Sequence, residues 1–536
     1  MKFEFSLNRN QEKALSSSLS LVLVIGILVL VNSLAARYFW RLDLTRNKAF
    51  TLSWASKNLV GGLDDRLLVK AYFTDDLPAP YNEYRRQLED TLAEYSMYGK
   101  GRFDYEFINP NKSMDYEQEA MAYGVQPMQF NVIEADEYRV KTGYMGLVIL
   151  YEDKSEVVPF ISEVETLEYA LTSRFQKITS PRQLKVGFYY EEDSTPQLLE
   201  NLEIVSQPLS EIYDLVYVDP SEIDTTLDVL VLAGVQSGLS DYALYRIDQA
   251  VMHGVKVLFM HDLAMINAQG FQVMPIESGL EKLLGHYGIE LGSSFVADLQ
   301  AKRISVQSQQ GAYTISNIID YPFIPVSSDL GESVITSNLG QLTLPFVTSL
   351  SISPNRVDQL QVDTLARSSD NSWLVQNIYD INPFQQFSPG SEKGPFDLAL
   401  AVQGDFTSFF QGEMPPARPA DSANAGFEGL EEIDQIDDVQ AARMLLVGSS
   451  NAIMSGFVMD NTMVDFFLNA IDWLAQSDTL ISIRSRAAGV TPLRDIGENS
   501  RNMIKYAIIL GLPVFVAISS LVIFRFRKKR TQRVYQ

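Results

Sequence analysis

Residues that could do chemistry are few in this chain, and the first constraint is a gap. The 536 residues include no cysteine, which excludes disulfides, thiolate metal sites and cysteine nucleophiles together. The three histidines, His253, His261 and His286, do not suggest a histidine-rich metal site. His261-Asp262 closes an apolar run that reads as a parallel strand. Open α/β sheets hold ligands at such strand ends. The pair is therefore a candidate small-ligand or metal contact, with a loop histidine beside a capping aspartate as the competing reading. Ser449 and Ser450 also follow an apolar run. No Gly-x-Ser-x-Gly surrounds them and no histidine is near in sequence, so serine hydrolysis is not expected. Glu428, Glu431, Glu432, Asp434, Asp437 and Asp438 lack EF-loop spacing and read as a solvated charge run, not a calcium site. No Gly-x-x-x-x-Gly-Lys-Ser/Thr is present, so the chain is not itself an ATPase. Neither enzyme activity nor a cofactor is expected.

The stretch from Asp228 to Asp262 must position the first candidate pair. Val229–Ala233 is continuously apolar, as a strand buried on both faces should be. Ser240 and Asp241 are helix-start residues. Ala243, Leu244, Ile247, Ala250 and Val251 follow at helical spacing, and Gly254 suits a helix end. Val255 to Met260 reads as a second buried strand. Strand, helix and strand make a βαβ unit with parallel strands and a right-handed crossover.

The charge is uneven. Against 43 Lys and Arg stand 67 Asp and Glu, a net charge of −24. The tail 525–536 is basic, with Arg525, Arg527, Lys528, Lys529, Arg530 and Arg533 and no acid. The acidic body argues against a nucleic-acid partner. Residues 14–36 are uncharged, and about 20 helical residues cross a bilayer core, so this segment is expected as an uncleaved membrane anchor after a cytoplasmic 1–13. A cleavable signal ending near Ser33-Leu34-Ala35 is the alternative. Residues 504–524 form the expected second span, uncharged from Tyr506 onward. Gly511 and Pro513 within it permit close packing on a partner helix. The basic tail places the C-terminus in the cytoplasm. Two crossings return the N-terminus to that side and leave the bulk of the chain extracytoplasmic at the inner membrane.

Between the spans, residues 37–180 read as one domain. Ser53 caps a helix over Trp54–Val60. Leu67–Phe73, Tyr81–Tyr98, Phe103–Ile108 and Asp115–Tyr123 read as strand, helix, strand and helix. Gln129–Glu134 and Tyr144–Tyr151 are expected as antiparallel strands, and Val164–Lys177 as a helix. That order is the order of thioredoxin-like domains, and Gly124-Val125-Gln126-Pro127 falls where that fold carries its cis-proline loop. An ordinary turn proline is the alternative. Without Cys-x-x-Cys such a domain binds or spaces but does no redox work. Residues 181–500 read as a second α/β domain. Within it, 412–438 is a Pro/Ala-rich then acidic segment expected to be a mobile loop.

Several of these stretches resemble one family. Asp228-Val-Leu-Val-Leu-Ala-Gly234, Leu239-Ser240 and Gly254-Val-Lys-Val-Leu-Phe259 before Asp262 are similar to the auxiliary subunits of ABC transporters of the gliding-motility, GldG-like type. Asp43-Leu-Thr45, Phe50-Thr-Leu-Ser53, Leu283-Leu284 with Tyr287-Gly-Ile289, Tyr321-Pro-Phe-Ile-Pro325, Phe466–Leu474 and Ile481-Ser-Ile-Arg484 resemble it too. Val255 stands where a second glycine is expected, and His261-Asp262 replaces the usual Val-Asp-Pro. The resemblance implies a second domain with a sheet like that of class I glutamine amidotransferases, whose cysteine is missing here. It also implies a non-catalytic subunit working with a separate ABC permease and ATPase, in some bacteria in gliding motility. A membrane-anchored sugar- or peptidoglycan-binding or hydrolysing α/β protein is the rival reading.

Overall fold

A computed structural model of the protein describes residues 51–475 apart from 80, 135–136, 162–166, 190–194, 268–270, 311–312, 338, 377–379, 386, 419–433 and 458–460, together with Gly26, Ile481, Ile483, Lys505 and Ser520. The expected spans 14–36 and 504–524 (single residues apart), Gly511, Pro513, the tail 525–536 and most of the acidic loop lie outside the described residues. Among the described residues no helix is long and apolar enough to cross a membrane. The chain divides into Met1–Gly489 and Val490–Gln536, and the elements below belong to the first.

Ser53 Oγ accepts from Ser56 N and caps α1 (Trp54–Gly61). Then follow β1 (Leu67–Phe73), α2 (Tyr81–Tyr98), β2 (Phe103–Ile108) and α3 (Met114–Ala122). β3 (Met128–Glu134), β4 (Glu137–Gly143), β5 (Met145–Tyr151), β6 (Lys154–Val158) and α4 (Leu167–Thr179) complete this part. The sheet order is β2-β1-β5-β6, with β1 parallel to β2 and the other neighbours antiparallel. The expected pairing of Gln129–Glu134 with Tyr144–Tyr151 is corrected: β3 folds back on β4 as a separate hairpin, and β5 pairs with β1 and β6. β5 is buried along nearly its whole length and belongs inside the sheet, whereas β4 pairs with β3 alone among the described residues. The bond before Pro127 is not cis; the cis bond among the described residues is Gly394–Pro395.

The core of this part gathers one face of α2 against α4 and the sheet. Leu88, Leu92 and Tyr95 recur at helical spacing and are buried with Leu171 and Phe175. Tyr95, Phe103 and Phe175 form an aromatic cluster with ring centroids 5.2–5.5 Å apart. The buried Tyr95 hydroxyl finds Thr172 Oγ1 at 2.6 Å.

The next elements are β7 (Lys185–Tyr189), α5 (Thr195–Ser210), β8 (Asp214–Val218), β9 (Val229–Ala233), α6 (Asp241–Met252) and β10 (Lys256–Met260). A long elaboration follows: the hairpin β11 (Ala264–Asn267) and β12 (Gln272–Pro275), α7 (Leu280–Tyr287), β13 (Ile289–Asp298), and the hairpin β14 (Ala301–Gln310) and β15 (Tyr313–Ser327). It continues through β16 (Asp329–Leu330), β17 (Leu342–Thr343), β18 (Thr348–Ile352), β19 (Gln361–Arg367), β20 (Ser372–Val375) and β21 (Asp397–Thr407). β22 (Asp438–Val447) and α8 (Asn461–Leu474) close the unit.

β8, β7, β9, β10 and β22 lie side by side and parallel. β9, fully buried, is the apolar run that the sequence shows. β21 adds antiparallel to β22, and β18, β13 and β20 extend the same 11-stranded sheet. The elaboration is thus not a separate domain: its strands take the edge that β22 would otherwise leave open. α5 packs with α8, and α6 with α7. The chain steps in opposite directions through α5 and α6, so right-handed crossovers put these two helices on opposite faces of the sheet. A satellite core of Phe295, Tyr321, Phe323, Phe346 and Trp373 sits under the elaboration.

Candidate functional site

The register of β10 with β22 decides what His261-Asp262 can meet. Val257 pairs with Met444 and Met260 with Val447, and His261 N donates to Val447 O at 2.9 Å. Two strand ends therefore stop level, and the residues after them share one space. Asp262 turns toward the loop after β22. Ser450 N donates to its Oδ1 at 2.8 Å, Ser450 Oγ donates to its Oδ2, and Asn451 Nδ2 reaches Oδ1 at 3.3 Å. Burial pushes the Asp262 carboxyl up to about 6, against the lowering pull of these hydrogen bonds.

Ser449 braces the same loop from the other strand. Its Oγ donates to Pro345 O at 2.6 Å and accepts from Asn451 N at 3.2 Å. Both serines are buried. Gly448, just before them, must lack a side chain: a Cβ there would stand 2.1 Å from Thr348 O. That carbonyl belongs to β18, whose Thr348 N donates to Gly448 O. The loop is wedged between β10 and the elaboration, with its hydroxyls used to hold it.

His261 faces elsewhere. Its side chain is 3% exposed and lines a cavity of about 350 Å³ together with Glu281, Val273, Phe295 and Val375. Nε2 lies 3.9 Å from Glu281 Oε1. Burial lowers the imidazole pKa, opposed by the Glu281 charge. The residues that the sequence groups as one candidate contact thus serve two environments: Asp262 a hydrogen-bonded loop, His261 a cavity. The parallel strands progress in opposite directions from β7, so the crevice expected to hold ligands lies between the ends of β7 and β9. His261 sits beyond it, at β10. Among the described residues no group of three His, Asp or Glu side chains could hold a metal ion.

Glu281 was not among the residues singled out from the sequence. Its signal was present: Ser278-x-x-Glu281 has the spacing of a capping box. Glu281 reaches back, accepting from Gly279 N at 2.8 Å and Ser278 Oγ at 3.1 Å. Gly288, at φ 86°, ends the same helix in the left-handed conformation.

A second buried polar centre lies along α6. The Asp248 carboxylate accepts from Tyr287 Oη at 2.7 Å, Ser408 Oγ at 2.6 Å, Phe409 N at 2.8 Å and Gln249 Nε2 at 3.1 Å. Gln249 exchanges hydrogen bonds with the backbone of Ile436 at 2.8 and 3.1 Å. This ties α6 to α7 and to both ends of the segment 412–438. The acid count of that segment does not reveal it, because the partners are 160 or more residues apart in sequence.

Residues 183–474, from β7 through α8, match a family model described as an ABC-type uncharacterized transport system, the ABC transporter auxiliary family. Residues 46–150 match a model described as a domain of unknown function. An uncharacterized protein of Borreliella burgdorferi is 24% identical over 531 residues, covering 96% of this chain and 98% of its own. The mmIFT52 N-terminal domain aligns over 54% of this chain and 96% of its own at 10% identity, with a TM-score of 0.32.

Proposed function

The chain belongs to the ABC transporter auxiliary family, and from that premise we propose that it is a non-catalytic accessory subunit of a bacterial ABC-type transporter. The observation that carries this is the family match over the α/β unit from β7 to α8. A permease and an ATPase are separate chains in this reading, since the sequence has no phosphate-binding loop. The body lies outside the cytoplasm between spans 14–36 and 504–524, where no ATP is available. Work reaches it through the spans or through contact with the permease.

Two features support a body that binds or couples and does no catalysis. The hydroxyls after β22 are spent on Pro345 and Asp262. The first part, with its β2-β1-β5-β6 order, is a thioredoxin-like module without thiols, and the second an amidotransferase-like sheet without the cysteine. The intact protein should co-purify from native membranes with an ABC ATPase and a permease. Recovery alone, or with cell-wall hydrolases, would overturn the assignment.

A further inference from the structure

The cavity beside His261 has the attributes of a built site. Its volume, about 350 Å³, falls at the small end of the roughly 300–1,000 Å³ typical of ligand pockets. Its walls are drawn from β12, α7, β13, β20 and the end of β10, so the space is fixed by the whole elaboration and not by one loop. Most of that wall is apolar, with Val273, Phe295 and Val375 from three different strands.

The polar part has an unusual composition. The His261 ring, 3% exposed, has no hydrogen-bond partner among the described residues, and 3.9 Å to Glu281 is too long for one. The ring borders the cavity, so whatever fills that space, water or a ligand, supplies its hydrogen bond. Glu281 is oriented by Ser278 and Gly279, and no lysine or arginine pairs with it among the described residues. Glu277 lines the cavity as well. Two acidic residues and an imidazole thus line a space with no cation of its own among the described residues.

We propose that this cavity binds a small primary amine bearing an apolar chain. Its ammonium donates to the Glu281 carboxylate and to the His261 ring, and its chain lies against Val273, Phe295 and Val375. Burial, which lowers the imidazole pKa, keeps that ring an acceptor. An ammonium bridging both groups donates to the ring nitrogen and meets the Glu281 carboxylate with opposite charge, which neither a carboxylate nor a purely apolar ligand does. The site is independent of the transporter assignment and is tested without any partner.

The test uses the full-length chain reconstituted in nanodiscs, titrated calorimetrically with hexylammonium, hexanol and hexanoate. Saturable 1:1 binding of hexylammonium is expected, with hexanoate not binding. Glu281→Gln should weaken hexylammonium by at least about tenfold, the loss of one charge-assisted contact. Val273→Trp should abolish it by filling the cavity; where that variant fails to fold, Ala264→Leu fills the same space. Hexanoate binding as tightly as hexylammonium would overturn the proposal. So would a hexylammonium titration that Glu281→Gln and the filling variant leave unchanged, which would indicate partition into lipid beside a cavity holding only water.

Discussion

Asp262 and Ser450 stand 188 residues apart in sequence and share two hydrogen bonds, one from the Ser450 amide and one from its hydroxyl. They meet because β10 and β22 are parallel neighbours whose last residues are in register. The pair links the βαβ unit to the returning last strand across the whole length of the elaboration. A carboxylate enclosed this way is stabilised by its donors and destabilised by lost solvation, and here burial is the larger effect.

That balance predicts a pH dependence. The folded-state pKa of Asp262, about 6, lies above its ordinary value of 3.8, so the native state keeps a proton that the unfolded chain releases. Its contribution is fully present below pH 3.8 and is lost as pH rises to about 6, on the order of 3 kcal/mol in all. Asp262→Asn should remove this loss. The stability difference between variant and parent, from urea melts at pH 4, 5, 6 and 7, should move in the variant's favour up to pH 6 and then level off. A difference flat across that range would exclude the titration.

Replacing Ser449 and Ser450 together with alanine should lower stability by about 2–4 kcal/mol, since Asp262 and Pro345 each lose a hydroxyl donor. Recovery of the ATPase and permease from membranes, scaled to the amount of folded protein, should not change. Loss of function in a protein that folds and assembles normally would bring a serine nucleophile back into consideration.

Gly448→Ala should destabilise by about 3 kcal/mol, because the new methyl group meets a backbone carbonyl that a side-chain rotation cannot move. Thermal melts of variant and parent at one pH suffice. A shift below about 1 kcal/mol would mean that β18 can give way.

Asp248→Ala leaves four donors facing a buried void, including the Tyr287 and Ser408 hydroxyls. A loss of at least about 3 kcal/mol is expected, with Asp248→Asn milder because the amide oxygen still accepts. Limited proteolysis should then cut near Gln435 and Ile436 sooner than in the parent, as Gln249 loses its fixed position. Unchanged cleavage would show that the segment's ends are held by something else.

Topology can be read chemically because the chain has no cysteine of its own. Met414, 91% exposed, is a suitable labelling position. In intact spheroplasts a membrane-impermeant maleimide should label Met414→Cys and spare Gln536→Cys. Protection at 414 with labelling at 536 would invert the body to the cytoplasm and remove the basis for the proposed coupling.

Local periodicity already contained much of this molecule. The strand Leu67–Phe73, the helix Tyr81–Tyr98 and the helix Leu280–Tyr287 with its terminal Gly288 follow directly from spacing and capping residues. Such signals are written within one element, in residues that touch each other along it. Pairing is different. Whether β5 joins β4 or β6, and which strand lies beside β10, depends on competition among distant apolar surfaces for the same neighbour. The sequence by itself determined the missing thiols, the acidic body, the βαβ unit and the candidates His261 and Asp262. Only the tertiary structure decided that these two adjacent residues part company, one to a cavity with Glu281 and the other to Ser450. Successive residues leaving a strand point to opposite sides, and what waits on each side is set by chain that comes later.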